Sequence, residues 1–288
     1  MIKKGIILAG GIGSRMSPVT KAVNKQLLPL YDKPLFFYPL SVLMLAKIKD
    51  ILIIVNKGQI NQFKKVLPNG NNLGIQITYM EQEKPRGLPD AFIIGEKFIG
   101  KDSVALILGD NFFFGQDLTK KLVKSTNLSR GAKIFLHPVS NPSLYGVAKI
   151  DKKNNVINII EKPKKTVSNL AVTGLYFFDN EVIKLSKSLK VSKRKEIEIV
   201  DLLKKYKNKK RLSVEIIGRG GTWLDTGSIV DFNNASNFVA TVENRQGFKI
   251  GCIEEIAFKN KWVNKTHMKK AIKFYGNCDY SKYISKFI

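Results

Sequence analysis

The sequence predicts an α/β fold, a doubly wound mixed sheet followed by C-terminal helices. Two observations carry this. Short, wholly apolar runs alternate with segments that read as helices through roughly the first hundred residues, the signature of strands and crossover helices. After about Gly115 the pattern changes to strands separated by short polar turns, and from Asp231 onward to helices.

Gly5 to Ala9 is apolar throughout, as expected of a parallel strand covered on both faces. Pro39 to Ala46 reads as a helix, Asp50 to Val55 as a second buried strand, and Gln59 to Val66 as a helix. Ile75 to Met80 reads as a strand. Leu88 to Phe98 reads as a helix, with Pro89 in its tolerated first turn. Ser103 to Leu108 is another buried strand. In the second half, strands are expected at Ala132 to His137, Gly146 to Ile150, Val156 to Glu161 and Val172 to Phe178. Helices are expected at Asp179 to Leu189 and Ile197 to Lys207. No repeat or low-complexity linker divides the chain, so both halves are expected to share one sheet.

The 288 residues are 44% hydrophobic, enough for a sizeable core. No apolar run approaches the roughly 18 residues of a membrane span. The start, with Lys3 and Lys4 before an apolar stretch, briefly imitates a secretion signal, but glycines interrupt it and Arg15 closes it. A cytoplasmic protein is expected. Cys252 and Cys278 form no CxxC pair, so neither a disulfide framework nor a zinc site is indicated. His137 and His267 are the only histidines, and both read as structural. The chemistry is expected to proceed without a histidine base.

Four segments carry chemistry. In Leu8-Ala9-Gly10-Gly11-Ile12-Gly13-Ser14-Arg15 a buried strand runs straight into glycines, which let backbone N–H groups approach a phosphate. The spacing is neither GxGxxG nor a Walker A loop. Arg15, and Lys25 ten residues on, make a two-cation cradle better suited to a triphosphate than to a dinucleotide. A glycine-rich surface turn with solvated cations is the alternative. In Leu108-Gly109-Asp110-Asn111 a carboxylate follows a buried parallel strand, where open α/β sheets bind ligands and where Mg²⁺ could be held; a turn cap is the alternative. Asp225, in Trp223-Leu224-Asp225-Thr226-Gly227, is a second candidate ligand or a turn. Glu161 and Lys162 emerge together at a strand end, suited to sugar hydroxyls and a phosphate, or else to a solvated edge.

Together these segments resemble the glucose-1-phosphate thymidylyltransferases of the sugar nucleotidylyltransferase superfamily, in order and spacing, from about Ile6 to Tyr280. Further matching stretches are Lys25-Gln26-Leu27-Leu28-Pro29, Tyr31-Asp32-Lys33-Pro34, Tyr145-Gly146-Val147 and Val172-Thr173-Gly174-Leu175. The resemblance implies a Rossmann-like nucleotidylyltransferase fold. It implies residues 1–115 as a nucleotide-binding half, 116–230 as a sugar-phosphate-binding half, and 231–288 as a helical segment. Leu8, Gly10, Gly11, Gly13 and Ser14 would form the nucleotide loop, and Arg15 and Lys25 the triphosphate clamps. Gln82 would read the base and Gly87 would pack beneath the nucleoside. Asp110 and Asp225 would bind Mg²⁺. Asn111, Gly146, Glu161 and Val172 would contact the sugar, and Lys162 its phosphate. The implied substrates are dTTP and glucose 1-phosphate, and the implied assembly is a homotetramer. The chain departs from the family at Ser14, usually Thr, and at Pro89-Asp90, usually Ala-Gln. It also departs at Lys195, usually Gly, and at Gln116, where a second, regulatory nucleotide site has His.

The net charge of +26 would by itself suggest a polyanion partner. Yet the 49 basic residues include few arginines: Arg15, Arg86, Arg130, Arg194, Arg211, Arg219 and Arg245. Arginine supplies the bidentate contacts that read nucleic acid, and the lysines are scattered without a long basic arm. No nucleic-acid partner is expected.

Overall fold

A computed structural model describes residues 1–165, 167–192 and 195–288; Thr166, Lys193 and Arg194 lie outside the described residues. The strands, in chain order, are β1 (Lys4–Leu8), a short hairpin of β2 (Pro29–Leu30) and β3 (Lys33–Pro34), β4 (Asp50–Asn56), β5 (Gln76–Gln82), β6 (Val104–Leu108) and β7 (Asn111–Gly115). They continue with β8 (Ala132–Pro138), β9 (Gly146–Ile150), β10 (Val156–Glu161), β11 (Leu170–Phe178), β12 (Leu212–Ile216) and β13 (Gly221–Asp225).

Among the described residues, nine strands make one mixed sheet. Its parallel half runs β5-β4-β1-β6. β11 then pairs antiparallel with β6 and joins the two halves of the chain. Beyond it the sheet forks: one end of β11 meets β9, which carries β10, and its other edge carries β8 and then β12. β11 does this by shifting register between Val172 and Tyr176, around Thr173 and Gly174.

The apolar runs are continuous because each face of the sheet has its own helical layer. Alternate residues of a strand point to opposite faces. Ile7, Ile51, Ile53 and Ile107 enter one core, with Phe36, Phe37 and Leu40 and with the C-terminal helices. Ile6, Leu52, Ile54 and Leu106 enter the other, with Phe92, Val182, Leu202 and Tyr206. Ile6 and Ile7 are both completely buried, each worth about 1.5–3 kcal/mol relative to exposure.

Several elements differ from expectation. The helix read over Leu88 to Phe98 starts later and is two short helices, Asp90–Ile94 and Glu96–Ile99, interrupted at Gly95, a residue type about 1 kcal/mol less favourable than alanine in a helix interior. β7, β12 and β13 were not expected. β7 and β13 pair with each other as an antiparallel ribbon outside the main sheet. The C-terminal segment is helical at Ile229–Gln246, Ile253–Lys259, Lys265–Tyr275 and Asp279–Ser285. No helix is long and apolar enough to cross a membrane, among the described residues.

Candidate active site

The carboxyl ends of β1, β4 and β6 lie side by side, and the glycine loop leaves β1 there. The loop's path is held by side chains from neighbouring segments. Asn56, at the end of β4, accepts from Gly11 N–H at 2.9 Å and donates to Gly11 O at 2.9 Å. Asn24 donates to Ala9 O at 3.1 Å and accepts from Gln26 N–H at 2.8 Å, which seats Lys25. Leu8 O accepts from Gly109 N–H at 2.9 Å, tying the loop to the Asp110 turn. Gly13 O accepts from Thr20 Oγ1, and Ser14 and Arg15 begin an exposed 3₁₀ turn.

Two of the glycines are required by close approach. A Cβ on Gly10 would stand 1.8 Å from Gln82 Nε2, so Gln82, buried and bonded to Asn56 at 3.2 Å, packs directly on the loop. Gly87 has φ +112°, and a Cβ there would stand 2.2 Å from Ile197 O. Ile197 N–H in turn donates to Arg86 O at 2.7 Å. The segment around Gly87 is thus pressed onto the one that precedes helix Ile199–Asn208.

Between these segments and β9–β11 lies a cleft of about 320 Å³. Arg15, Asp110, Asn111, Gly146, Glu161, Lys162, Val172 and Asp225 all line it. Leu8, Gly10, Gly11, Gly13, Ser14, Lys25, Gln82 and Gly87 are not part of this lining; they adjoin it through the Lys25–Asp110 contact and through Leu88, which follows Gly87 and does line it.

The β7–β13 ribbon brings the two aspartates together. Asn111 pairs with Asp225 in register, and Thr226 donates to Asp110 O through both N–H (3.1 Å) and Oγ1 (2.9 Å). Lys25 Nζ sits 2.7 Å from Asp110 Oδ2, and Asn111 Nδ2 donates to Asp110 Oδ1 at 3.0 Å. Burial raises the pKa of Asp110, but the charge and hydrogen bond of Lys25, with help from Asn111, outweigh it and hold the carboxyl below its ordinary value. Asp225 goes the other way. Burial raises its pKa most, the charges of Asp110 and Asp231 add to this, and the Tyr145 hydroxyl, donating at 2.9 Å, only partly opposes it.

Among the described residues no cluster of three or more His, Cys, Asp or Glu offers a ready metal cage. Two neighbouring carboxylates fit Mg²⁺, which takes one or two protein carboxylates and completes its shell with water and substrate phosphates. Cations surround them. The Arg15 guanidinium and Asp225 Oδ2 both lie 3.1 Å from where a Cβ on Gly227 would stand. Lys162 turns off the end of β10 with φ +43°, its N–H donating to Tyr145 O at 3.0 Å. Glu161 reaches Gly146, whose added Cβ would lie 3.1 Å from Glu161 Oε2. Carboxylates for a cation, cations for phosphates and a polar strand end for hydroxyls thus share one cleft.

Sequence reasoning assigned no role to Asn24, Asn56, Tyr145 or Trp223. The signal for Asn56 was available, a polar residue ending a buried parallel strand beside the loop. Neither histidine lines the cleft. His137 lies 3.2 Å from Ile217 O, and His267 belongs to the capping box of helix Lys265–Tyr275.

The nucleotidyl transferase family model matches residues 4–242. Glucose-1-phosphate thymidylyltransferase of Neisseria meningitidis is 46% identical over 285 residues, 99% of either chain. That of Neisseria gonorrhoeae is 47% identical over 281 residues, 98% of either chain. Among solved structures, one from Bacillus anthracis, named as a glucose-1-phosphate thymidylyltransferase and in complex with a sucrose, is 38% identical with a TM-score of 0.76. The match covers 82% of this chain and 94% of that one. A UDP-glucose pyrophosphorylase complexed with UDP-glucose is 27% identical with a TM-score of 0.74, over 84% and 99% of the two chains.

Proposed function

Given that this chain belongs to the nucleotidyl transferase family, among its glucose-1-phosphate thymidylyltransferases, we propose that it converts dTTP and glucose 1-phosphate to dTDP-glucose and pyrophosphate in a single in-line transfer. An oxygen of the sugar phosphate attacks the α-phosphorus of dTTP, and the bond to pyrophosphate breaks as the new P–O bond forms. The nucleophile is already ionised at neutral pH, so no general base and no covalent intermediate are needed.

Repulsion between two anions is the first obstacle. Mg²⁺ held by Asp110 and Asp225 would bring the phosphates together and neutralise part of their charge. Arg15 and Lys25 hold the triphosphate and stabilise the leaving pyrophosphate, and Lys162 holds the sugar phosphate. Glu161, Asn111, Gly146 and Val172 orient the sugar. Gln82 selects the base, with Gly10 giving that side chain room, and Gly87 packs beneath the nucleoside. Catalysis is then positioning and electrostatics. The observation that supports this most is the pairing of Asn111 with Asp225, which sets two carboxylates in the same cleft as Arg15 and Lys162. A cytoplasmic homotetramer that binds no nucleic acid belongs to the same proposal.

The test is pyrophosphate release with a panel of nucleotides and sugar phosphates. Release should require dTTP, glucose 1-phosphate and Mg²⁺ together; an equal rate without sugar phosphate would refute direct transfer, and preference for UTP would move the chain to a neighbouring specificity. Asp110→Asn and Asp225→Asn should each lower kcat by about 10²-fold or more.

A further inference from the structure

Trp223 is buried and lines the cleft, two residues before Asp225 on β13. Its indole Nε1 donates to Asn111 Oδ1 at 2.6 Å, and Gly174 N–H donates to the same oxygen at 3.1 Å. Two N–H donors can share only an acceptor, so the amide orientation is forced. The Asn111 NH₂ must face Asp110 Oδ1, where it donates at 3.0 Å. The indole also meets Tyr145 edge to face, with centroids 5.1 Å apart, and the Tyr145 hydroxyl donates to Asp225 Oδ1 at 2.9 Å.

One side chain therefore touches a hydrogen-bond partner of each carboxylate, Asn111 for Asp110 and Tyr145 for Asp225. We infer that Trp223 is a positioning residue for the metal centre, setting Asp110 through Asn111 and Asp225 through Tyr145. Residues behind metal ligands commonly fix ligand orientation and tune affinity. The inference rests on the reading of Asp110 and Asp225 as the metal ligands and adds what aims them. It also gives Asn111 a task besides the sugar contact, because its oxygen is taken up by Trp223 and Gly174.

The test is Mn²⁺ binding to the dTTP complex, followed by electron paramagnetic resonance without sugar phosphate, so that no turnover intervenes. Trp223→Phe keeps an aromatic ring and removes the N–H donor together with the pyrrole part of the indole; it should weaken Mn²⁺ binding about tenfold. Combined with Asn111→Ala, its effect should fall short of the product of the two single effects, because both changes cut one relay. Wild-type affinity in Trp223→Phe, beside loss of binding in Asp110→Asn, would overturn the relay and leave the metal assignment standing. Unchanged binding in Asp110→Asn would overturn that assignment and the inference with it. A measurement on the unaltered protein covers the case of a variant that does not fold. The indole ¹⁵N–¹H resonance of Trp223 should move when Mg²⁺ is added to the dTTP complex, and a fixed resonance would overturn the relay.

Discussion

Replacing Lys25 by methionine separates two tasks that the ammonium performs, holding triphosphate and neutralising Asp110. In the free protein its Nζ lies 2.7 Å from Asp110 Oδ2, with side-chain exposures of 8% and 27%. The bare attraction at that distance is about 6 kcal/mol in an effective dielectric of about 20. Removing one partner of a buried pair costs about 3–5 kcal/mol, and the partial exposure of Asp110 puts this case near the lower end. At roughly 2 °C per kcal/mol for a chain of this size, Lys25→Met should lower Tm by about 6 °C at neutral pH without metal. A cation beside Asp110 should restore part of this. Mg²⁺ at ten times its Kd contributes about 1.4 kcal/mol, or about 3 °C. The wild type should respond less, because Lys25 already supplies the charge. The penalty should also shrink as pH falls. The wild-type carboxyl is held below its ordinary value, so its contribution is present above the unfolded pKa and lost in strong acid. In the variant burial is opposed only by the Asn111 and backbone hydrogen bonds, the carboxyl protonates more readily, and the missing counter-charge matters less. The assay is thermal melting with and without Mg²⁺ from pH 4 to 8. An equal Mg²⁺ response in both proteins, or no loss of Tm, would refute the reasoning.

Other outcomes follow from the same geometry. Lys162→Ala should raise the KM for glucose 1-phosphate more than it weakens dTTP binding measured by titration calorimetry, and Lys25→Ala should do the reverse; equal damage to both substrates in both variants would show the division is wrong. Gly87→Ala forces φ +112° on a residue with a Cβ and drives that Cβ into Ile197 O; strain and overpacking together should cost about 2–5 kcal/mol, read as a lower Tm and weaker binding of both substrates, and wild-type melting would contradict this. Burial raises the pKa of Glu254, against opposing hydrogen bonds from Tyr280 and Tyr275. A raised folded pKa gives stability that is present at low pH and lost as pH rises from about 4.5, so Glu254→Gln should gain on the wild type between pH 4.5 and 7.5, and parallel melting curves would refute it. Fluorescence anisotropy with labelled duplex and single strands should show only weak, sequence-blind binding that fades near 0.15 M salt; sequence-selective, submicromolar binding there would restore a nucleic-acid role.

Local sequence was enough wherever one residue run decides the outcome. Gly5 to Ala9, Asp50 to Val55 and Ser103 to Leu108 are strands because nothing but burial on both faces accommodates such runs, and β1, β4 and β6 lie there. The glycine loop and Asp110 follow directly on such strands, so the ligand-binding end of the sheet was legible too. Tertiary structure decided what depends on distant partners. Asn111 to Gly115 and Gly221 to Asp225 each look like polar or aromatic loops and become strands only by pairing with each other. That pairing changes Asp225 from a candidate turn residue into a neighbour of Asp110. The orientation of Asn111 is likewise fixed by Trp223, 112 residues away. The pKa values of the two aspartates diverge for the same reason: burial and neighbouring charge are properties of a place in the fold, and the two carboxylates stand opposite different partners, Lys25 for one and Tyr145 for the other.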